Sequence, residues 1–327
     1  MKSEYDVIMT SPRLAQPAVE LLEGAGCRIH YMTPFPSAEA VCELTAKIQA
    51  DAILTRQGPV NASAMAASHR LRIVARHGVG VDDVDLAAAA ARGIVVARAP
   101  GSNTRAVAEH TMAMILALAK DLHILSPHLS AGGWREATTK VRDIEGMRLG
   151  IVGYGAIGHS VARFASAFGM KIKVWGGAAD CDEPYVLRAP NLEDMLASSD
   201  VLTLHCPLTP ATCNLIDAAA LALLPAGALV INNARGGVVN EAALLAALES
   251  GHIAGVALDV FETEPPALDH PLRRHKRVIR TPHVSGVTDG ALVSMGVMAA
   301  ECIVAVLTGG VVPPERLVPP GGGSFRA

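Results

Sequence analysis

The sequence predicts an α/β protein built from two doubly wound, parallel sheets. Three observations carry that prediction. Short β-branched runs alternate with alanine-rich stretches of helical period along most of the chain, the pattern of strand–helix–strand units with parallel strands. At 327 residues the chain exceeds one ordinary hydrophobic core and is expected to divide into two domains. Near its midpoint, Gly153-Tyr154-Gly155-Ala156-Ile157-Gly158 directly follows an apolar run over 149–152 and precedes a helical stretch predicted over 160–168.

Runs at 7–9, 28–31, 52–54, 73–74 and 94–96 read as short buried strands, with helices near 17–23, 38–49, 62–67 and 86–92 between them. Ser102, Asn103 and Thr104 offer caps to a long helix from 105 to about 122, whose apolar positions recur at helical spacing. After the glycine motif, strands are predicted over 172–175, 201–204, 228–231, 255–258 and 278–280. A final helix follows from 291 to about 308, and a proline- and glycine-rich tail from 313 to 323 carries no signal for a regular element. Two α/β series flank a single glycine motif. The simplest architecture inserts one domain, residues 100–290, into another made of residues 1–99 and 291–327. Ligand clefts in such pairs are expected between the domains, beyond the carboxyl ends of the strands.

Composition narrows the partners. The net charge is -3, so no basic field for nucleic acid is expected. The longest apolar run is read at 112–119, short of the roughly 18–20 residues a membrane span requires, and no membrane association is expected. The first residues lack the apolar core of a signal peptide. Six scattered cysteines form no Cys-x-x-Cys pair, which suits reduced thiols and a cytoplasmic protein better than disulfides or a metal site.

A strand, Gly-x-Gly-x-x-Gly and a helix form the dinucleotide-binding fingerprint. The first glycine permits the tight turn, the second lets backbone approach a pyrophosphate, and the third allows close helix–strand packing. Gly153, Gly155, Ala156, Ile157 and Gly158 are therefore candidate cofactor residues. An acidic residue about 20 residues further on usually holds the adenosine ribose of NAD. Here Gly176 occupies that place, eighteen residues beyond Gly158, and the next charge is Asp180. The repulsion that excludes a 2′-phosphate is missing, and so is a cation to attract one. NAD and NADP both fit.

Three later segments place polar groups just beyond a predicted strand. Arg235, between Ala234 and Gly236, is able to fork two hydrogen bonds onto a carboxylate. Asp259 and Glu264 lie in a loop stiffened by Pro265 and Pro266. His283 follows Thr281 and Pro282; a histidine paired with a carboxylate is an acid–base unit near neutral pH. Together they offer an anion clamp, a proton donor and an orienting carboxylate, which is what hydride transfer to a 2-oxo acid requires, the hydride coming from the cofactor.

The chain resembles the D-isomer-specific 2-hydroxyacid dehydrogenases, the family of phosphoglycerate dehydrogenase, glyoxylate and hydroxypyruvate reductases and D-lactate dehydrogenase. The resemblance rests on an ordered set of motifs: 76–85 (RHGVGVDDVD), Val107-Ala108-Glu109-His110, the glycine loop, His205-Cys206-Pro207-Leu208-Thr209, Asn233-Ala234-Arg235-Gly236, Asp259-Val260-Phe261 with Glu264-Pro265, and Thr281-Pro282-His283. It implies a Rossmann domain inserted into a flavodoxin-like substrate domain, and a homodimer formed through the nucleotide-binding domain. It also implies that Arg235 binds substrate carboxylate and carbonyl, that His283 is the general acid/base, and that Glu264 pairs with it. Asp259 matches the position that holds the nicotinamide carboxamide; Cys206, Pro207 and Ala234 match cofactor-contacting motifs; Val79 and Gly80 match the loop receiving the substrate carboxylate. NAD is the more frequent cofactor in the family.

Arg56, His77 and Arg98 lie near predicted strand ends and are candidates to face a polar or anionic substrate tail, as in glyoxylate, hydroxypyruvate or a phosphorylated acid. No long regulatory domain follows the last helix, so a serine-sensing architecture is not expected. Two alternatives stay open: an NADPH-preferring glyoxylate/hydroxypyruvate reductase, and a non-catalytic NAD(H)-sensing protein resembling the C-terminal-binding corepressors. The second is disfavoured because the chain shows no long disordered arm and no basic surface for chromatin.

Overall fold

The computed structural model describes residues 4–177 and 183–320; Asp180, Cys181 and the tail glycines 321–323 lie outside the described residues. Two compact units form, one from Met1–Asn103 with Val287–Gly323, the other built on Thr104–Gly286.

The first unit runs β1 (Tyr5–Met9), α1 (Gln16–Gly24), β2 (Cys27–Tyr31), α2 (Ala38–Ile48), β3 (Ala52–Thr55), α3 (Ala62–Ala66), β4 (Ile73–Arg76), α4 (Leu86–Ala91) and β5 (Val95–Ala97). The strands form one parallel sheet ordered β2-β1-β3-β4-β5, a doubly wound arrangement whose order reverses between β1 and β3. Helices α2, α3 and α4 begin where the sequence supplies a cap: Ser37, Asn61 and Asp85 accept from the backbone N–H three residues on, at 3.2, 2.9 and 2.9 Å.

The second unit opens with α5 (Thr104–Ala119) and α6 (Leu122–Ser130). The helix predicted over 105–122 is therefore broken near its end. Asp121 adopts φ 47, a left-handed conformation that aspartate tolerates better than most residues, and the chain restarts as α6. Next come β6 (Arg148–Val152), α7 (Ala156–Ala167), β7 (Lys171–Trp175), β8 (Val186–Arg188), α8 (Leu192–Ala197), β9 (Val201–Leu204), α9 (Ala218–Leu223), β10 (Ala228–Asn232), α10 (Glu241–Glu249), β11 (Ile253–Leu258), α11 (Pro271–Arg274) and β12 (Val278–Arg280). All seven strands pair in parallel in the order β12-β11-β10-β9-β6-β7-β8. The order reverses between β6 and β9, so the glycine motif after β6 stands at the switch point, where doubly wound sheets bind ligands. The short β8 is not predicted; its Leu187 and Arg188 face outward and leave no apolar run to read.

The chain returns to the first unit in α12 (Asp289–Thr308), capped by Thr288 on Ala291 N–H and ended by Gly309 at φ 79. With 20 residues and a mean hydropathy of 2.1, α12 is long and apolar enough to cross a membrane, which corrects the reading of 112–119 as the longest apolar run. Its packing accounts for that character. Ala299, Ala300, Cys302, Ile303 and Leu307 join Val7, Ala18 and Leu22 in the first unit's core.

Candidate active site

The nucleotide fingerprint is shaped by what a side chain would strike. A Cβ on Gly153 (φ +93) would stand 2.7 Å from the backbone of His205 and 2.8 Å from Cys206 N, and one on Gly158 would stand 2.3 Å from the Gly153 carbonyl oxygen. Only glycine fits either place. Gly155 differs: nothing lies within 4 Å of its missing Cβ, and the residue is exposed. A cradle that a side chain would fill opens over the start of α7.

That helix begins at Ala156, four residues earlier than predicted, because Gly158 is held inside its first turn by the close contact with Gly153. Gly155 is the N-cap and makes no side-chain cap. The first N–H groups of a twelve-residue helix are thus left facing the cradle, with the positive end of the helix dipole behind them. This arrangement fits a dinucleotide pyrophosphate, which Gly155, Ala156, Ile157 and Gly158 would hold.

Gly176 falls where the sequence placed it, just beyond β7, at φ +69. Its carbonyl accepts from Tyr154 N–H at 2.9 Å, and a Cβ on the next residue, Gly177, would stand 2.6 Å from Tyr154 N. The glycine pair lets this turn lie directly on the fingerprint. Cys206 is buried, and burial pushes its thiol up to about 12; its backbone nitrogen lies against Gly153. Pro207 beside it is exposed.

The catalytic candidates come from turns after β10, β11 and β12. After β10, Asn232 fastens the turn from both sides, accepting from Ala234 N–H at 3.0 Å and donating to the Arg235 carbonyl at 2.9 Å. Asn233 donates to Thr111 on α5 at 2.9 Å. The turn after β11 touches this one backbone to backbone: a Cβ on Gly236 would stand 1.9 Å from the Phe261 carbonyl carbon and 2.2 Å from Glu262 N. That contact brings Arg235 beside the loop carrying Glu264.

Glu264 Oε1 accepts from Phe261 N–H at 3.0 Å, and Oε2 lies 2.6 Å from His283 Nδ1. Burial pushes the Glu264 carboxyl up, but the His283 hydrogen bond and charge, the Phe261 N–H and the Arg235 guanidinium outweigh it and hold the group below its ordinary range. Glu264 is thus a carboxylate at neutral pH and accepts the Nδ1 proton of His283. The imidazole then presents Nε2 for proton exchange, on a side chain 50% exposed. Arg235, Glu264 and His283, named from sequence, form one group.

Asp259 lies just beyond β11. It is 0% exposed; Oδ1 accepts from the Thr281 hydroxyl at 2.5 Å and Val284 N–H at 2.8 Å, and Oδ2 accepts from Ser285 N–H at 2.8 Å. The carboxylate is turned into the fold and fastens the backbone around His283. His110, unassigned in the sequence reading beyond its motif, reaches this network through Thr281 Oγ1 at 3.2 Å. The two residues stand 171 positions apart, and no sequence period connects them.

Val79 and Gly80 lie in the first unit, half-buried in the loop after β4. Arg56, after β3, is half-buried; desolvation and then the neighbouring Arg76 guanidinium lower its pKa. Arg76 in turn pairs with Asp83 at 2.6 Å. Arg98 is half-buried, with its backbone N–H on the Arg316 carbonyl at 2.8 Å. His77, a candidate for a substrate-facing group, is instead packed inside. It is 6% exposed, its ring lies 3.5 Å from where a Cβ of Gly296 on α12 would stand, and burial, with Arg56 next, pushes its pKa down to about 4.

Known proteins resemble this chain in sequence and in fold. Residues 112–285 match the family model described as "D-isomer specific 2-hydroxyacid dehydrogenase, NAD binding domain". The D-3-phosphoglycerate dehydrogenase of Mycobacterium leprae is 38% identical over 320 residues, covering 95% of this chain and 58% of that protein. Among solved structures, the TT0316 protein of Thermus thermophilus superposes with a TM-score of 0.87 at 32% identity, covering 96% of this chain and 100% of that one. A glyoxylate reductase from Paecilomyes thermophila gives a TM-score of 0.84 at 27% identity, covering 98% and 99%. The fold and fingerprint define a Rossmann-type nucleotide-binding chain. This chain belongs to the D-isomer-specific 2-hydroxyacid dehydrogenase family. It spans about 58% of the length of the curated relative quoted above.

Proposed function

We propose that the chain transfers a hydride between a nicotinamide cofactor and a small D-2-hydroxy acid or its 2-oxo acid. The observation that carries the reading is the His283–Glu264 pair, 2.6 Å apart, beside a turn that carries Arg235. The cofactor supplies the hydride. Arg235 forks onto the substrate carboxylate and carbonyl. His283 gives a proton from Nε2 to the carbonyl oxygen during reduction and takes it back during oxidation. Glu264 holds the ring tautomer and stabilises the imidazolium.

Val79 and Gly80 supply backbone to the substrate carboxylate. NAD is the proposed cofactor, supported by the family model's own description. The chain is proposed to work in the cytoplasm, in keeping with free cysteines at 27, 42, 206, 213 and 302. A homodimer through the second unit is supported by exposed Leu122, Leu129, Trp134 and Val141 on one stretch of it.

Steady-state oxidation of NADH and NADPH with a panel of 2-oxo acids tests this reading. Turnover is expected, faster with NADH. Tight NAD(H) binding with no turnover of any oxo acid would favour a nucleotide-sensing protein.

A further inference from the structure

We propose that His110, Thr281 and Asp259 form a hydrogen-bonded relay that positions His283. The inference rests on the reading of His283 as the acid/base group. The direction of each bond follows from the donors available. The Asp259 carboxylate only accepts, so the Thr281 hydroxyl donates to Oδ1 at 2.5 Å. A hydroxyl has one proton. Toward His110, 3.2 Å away, Thr281 Oγ1 therefore accepts, and His110 Nε2 carries the N–H. The chain of donation runs from α5, through the threonine, to the buried carboxylate.

What that carboxylate holds is the backbone of the proton donor. Val284 N–H and Ser285 N–H, from the two residues after His283, both donate to it at 2.8 Å. His283 N–H donates to the Asp259 carbonyl at 2.8 Å. His283 itself sits at φ 53, in the left-handed region that a residue with a Cβ seldom adopts. A conformation of that kind persists where its surroundings over-determine it, and here Asp259 ties His283 and both following residues. Thr281 and His110 keep the carboxylate satisfied inside the fold, where an unpaired charge would be costly. They act through His283 as positioning residues.

The test is a double-mutant cycle on the whole chain with NADH and its best 2-oxo acid. Thr281→Val keeps the volume and removes the hydroxyl. It is expected to lower kcat by about 10- to 100-fold, the range for a misplaced catalytic group, with KM for NADH within about twofold, since the fingerprint is untouched. Thr281→Ser should recover most of the loss. In a His283→Ala background, Thr281→Val should cost no further kcat, because the group it positions is gone. His110→Leu, farther from the loop, should lower kcat in the same direction and serves where Thr281→Val melts early. Wild-type kcat in both Thr281→Val and His110→Leu, or full additivity with His283→Ala, would overturn the relay. A His283→Ala variant with normal turnover would instead overturn the acid/base reading, whatever Thr281 does.

Discussion

Gly236→Ala tests whether the backbone contact between two turns assembles the site. The added Cβ would stand 1.9 Å from the Phe261 carbonyl carbon, whereas ordinary contact begins near 3.4 Å. The turns must separate by the difference, about 1.5 Å, since every atom in the way is backbone and cannot rotate aside. Overpacking of this kind costs about 1–3 kcal/mol, which lowers Tm by roughly 2–12 °C for a unit of this size. The functional effect should be larger in proportion. Arg235 precedes Gly236, and the Glu264 loop begins at Phe261, so the separation falls between clamp and acid–base pair. A displacement near 1 Å is able to cost about 100-fold in rate. Thermal denaturation and steady-state kinetics on the same sample provide the readout. An alanine variant that keeps both wild-type Tm and wild-type kcat/KM would show that contact between the two turns does not assemble the site.

Other perturbations act on separate parts of the fold. Gly155→Val projects into open space at a backbone conformation any residue adopts, so Tm should hold while NADH affinity, measured by titration of its fluorescence, drops; undiminished affinity would dismiss the cradle as the pyrophosphate seat. Gly176→Asp places a carboxylate beyond β7 and should raise the NADH-to-NADPH ratio of kcat/KM, at a strain cost of about 1 kcal/mol for φ +69; an unchanged ratio would count against that strand end as the ribose site. His77, held neutral with a folded pKa of about 4 against an unfolded 6.5, makes the unfolded state bind more protons across that window. Stability should therefore be complete above pH 6.5 and decline as pH falls toward 4, by about 3 kcal/mol in all. A His77→Gln variant should show a flatter dependence in pH-resolved melts, and an unaltered slope would contradict the burial argument.

The sequence made the strands and the trio legible because both leave local signals. Buried parallel strands read as apolar runs, and Arg235, Glu264 and His283 each stand just beyond one. The helix start at Ala156 was hidden by Gly158, which looks like a breaker until its contact with Gly153 is seen. The inward turn of Asp259 had no local signal, since its donors come from residues 22 to 26 positions away. His77 reads from sequence as a strand-end group able to face a substrate tail; only the approach of α12, more than two hundred residues later, buries it. The apolarity of α12 was diluted in the sequence by Asp289 and Glu301 and emerged once the helix had an extent.

The proton donor carries the account, and turnover by His283→Ala, measured at saturating NADH and 2-oxo acid beside the wild type, tests it most directly. The predicted result is a kcat lower by about 10²- to 10⁴-fold, the usual contribution of a general acid, with NADH affinity unchanged. A variant that turns over as fast as the wild type would contradict it.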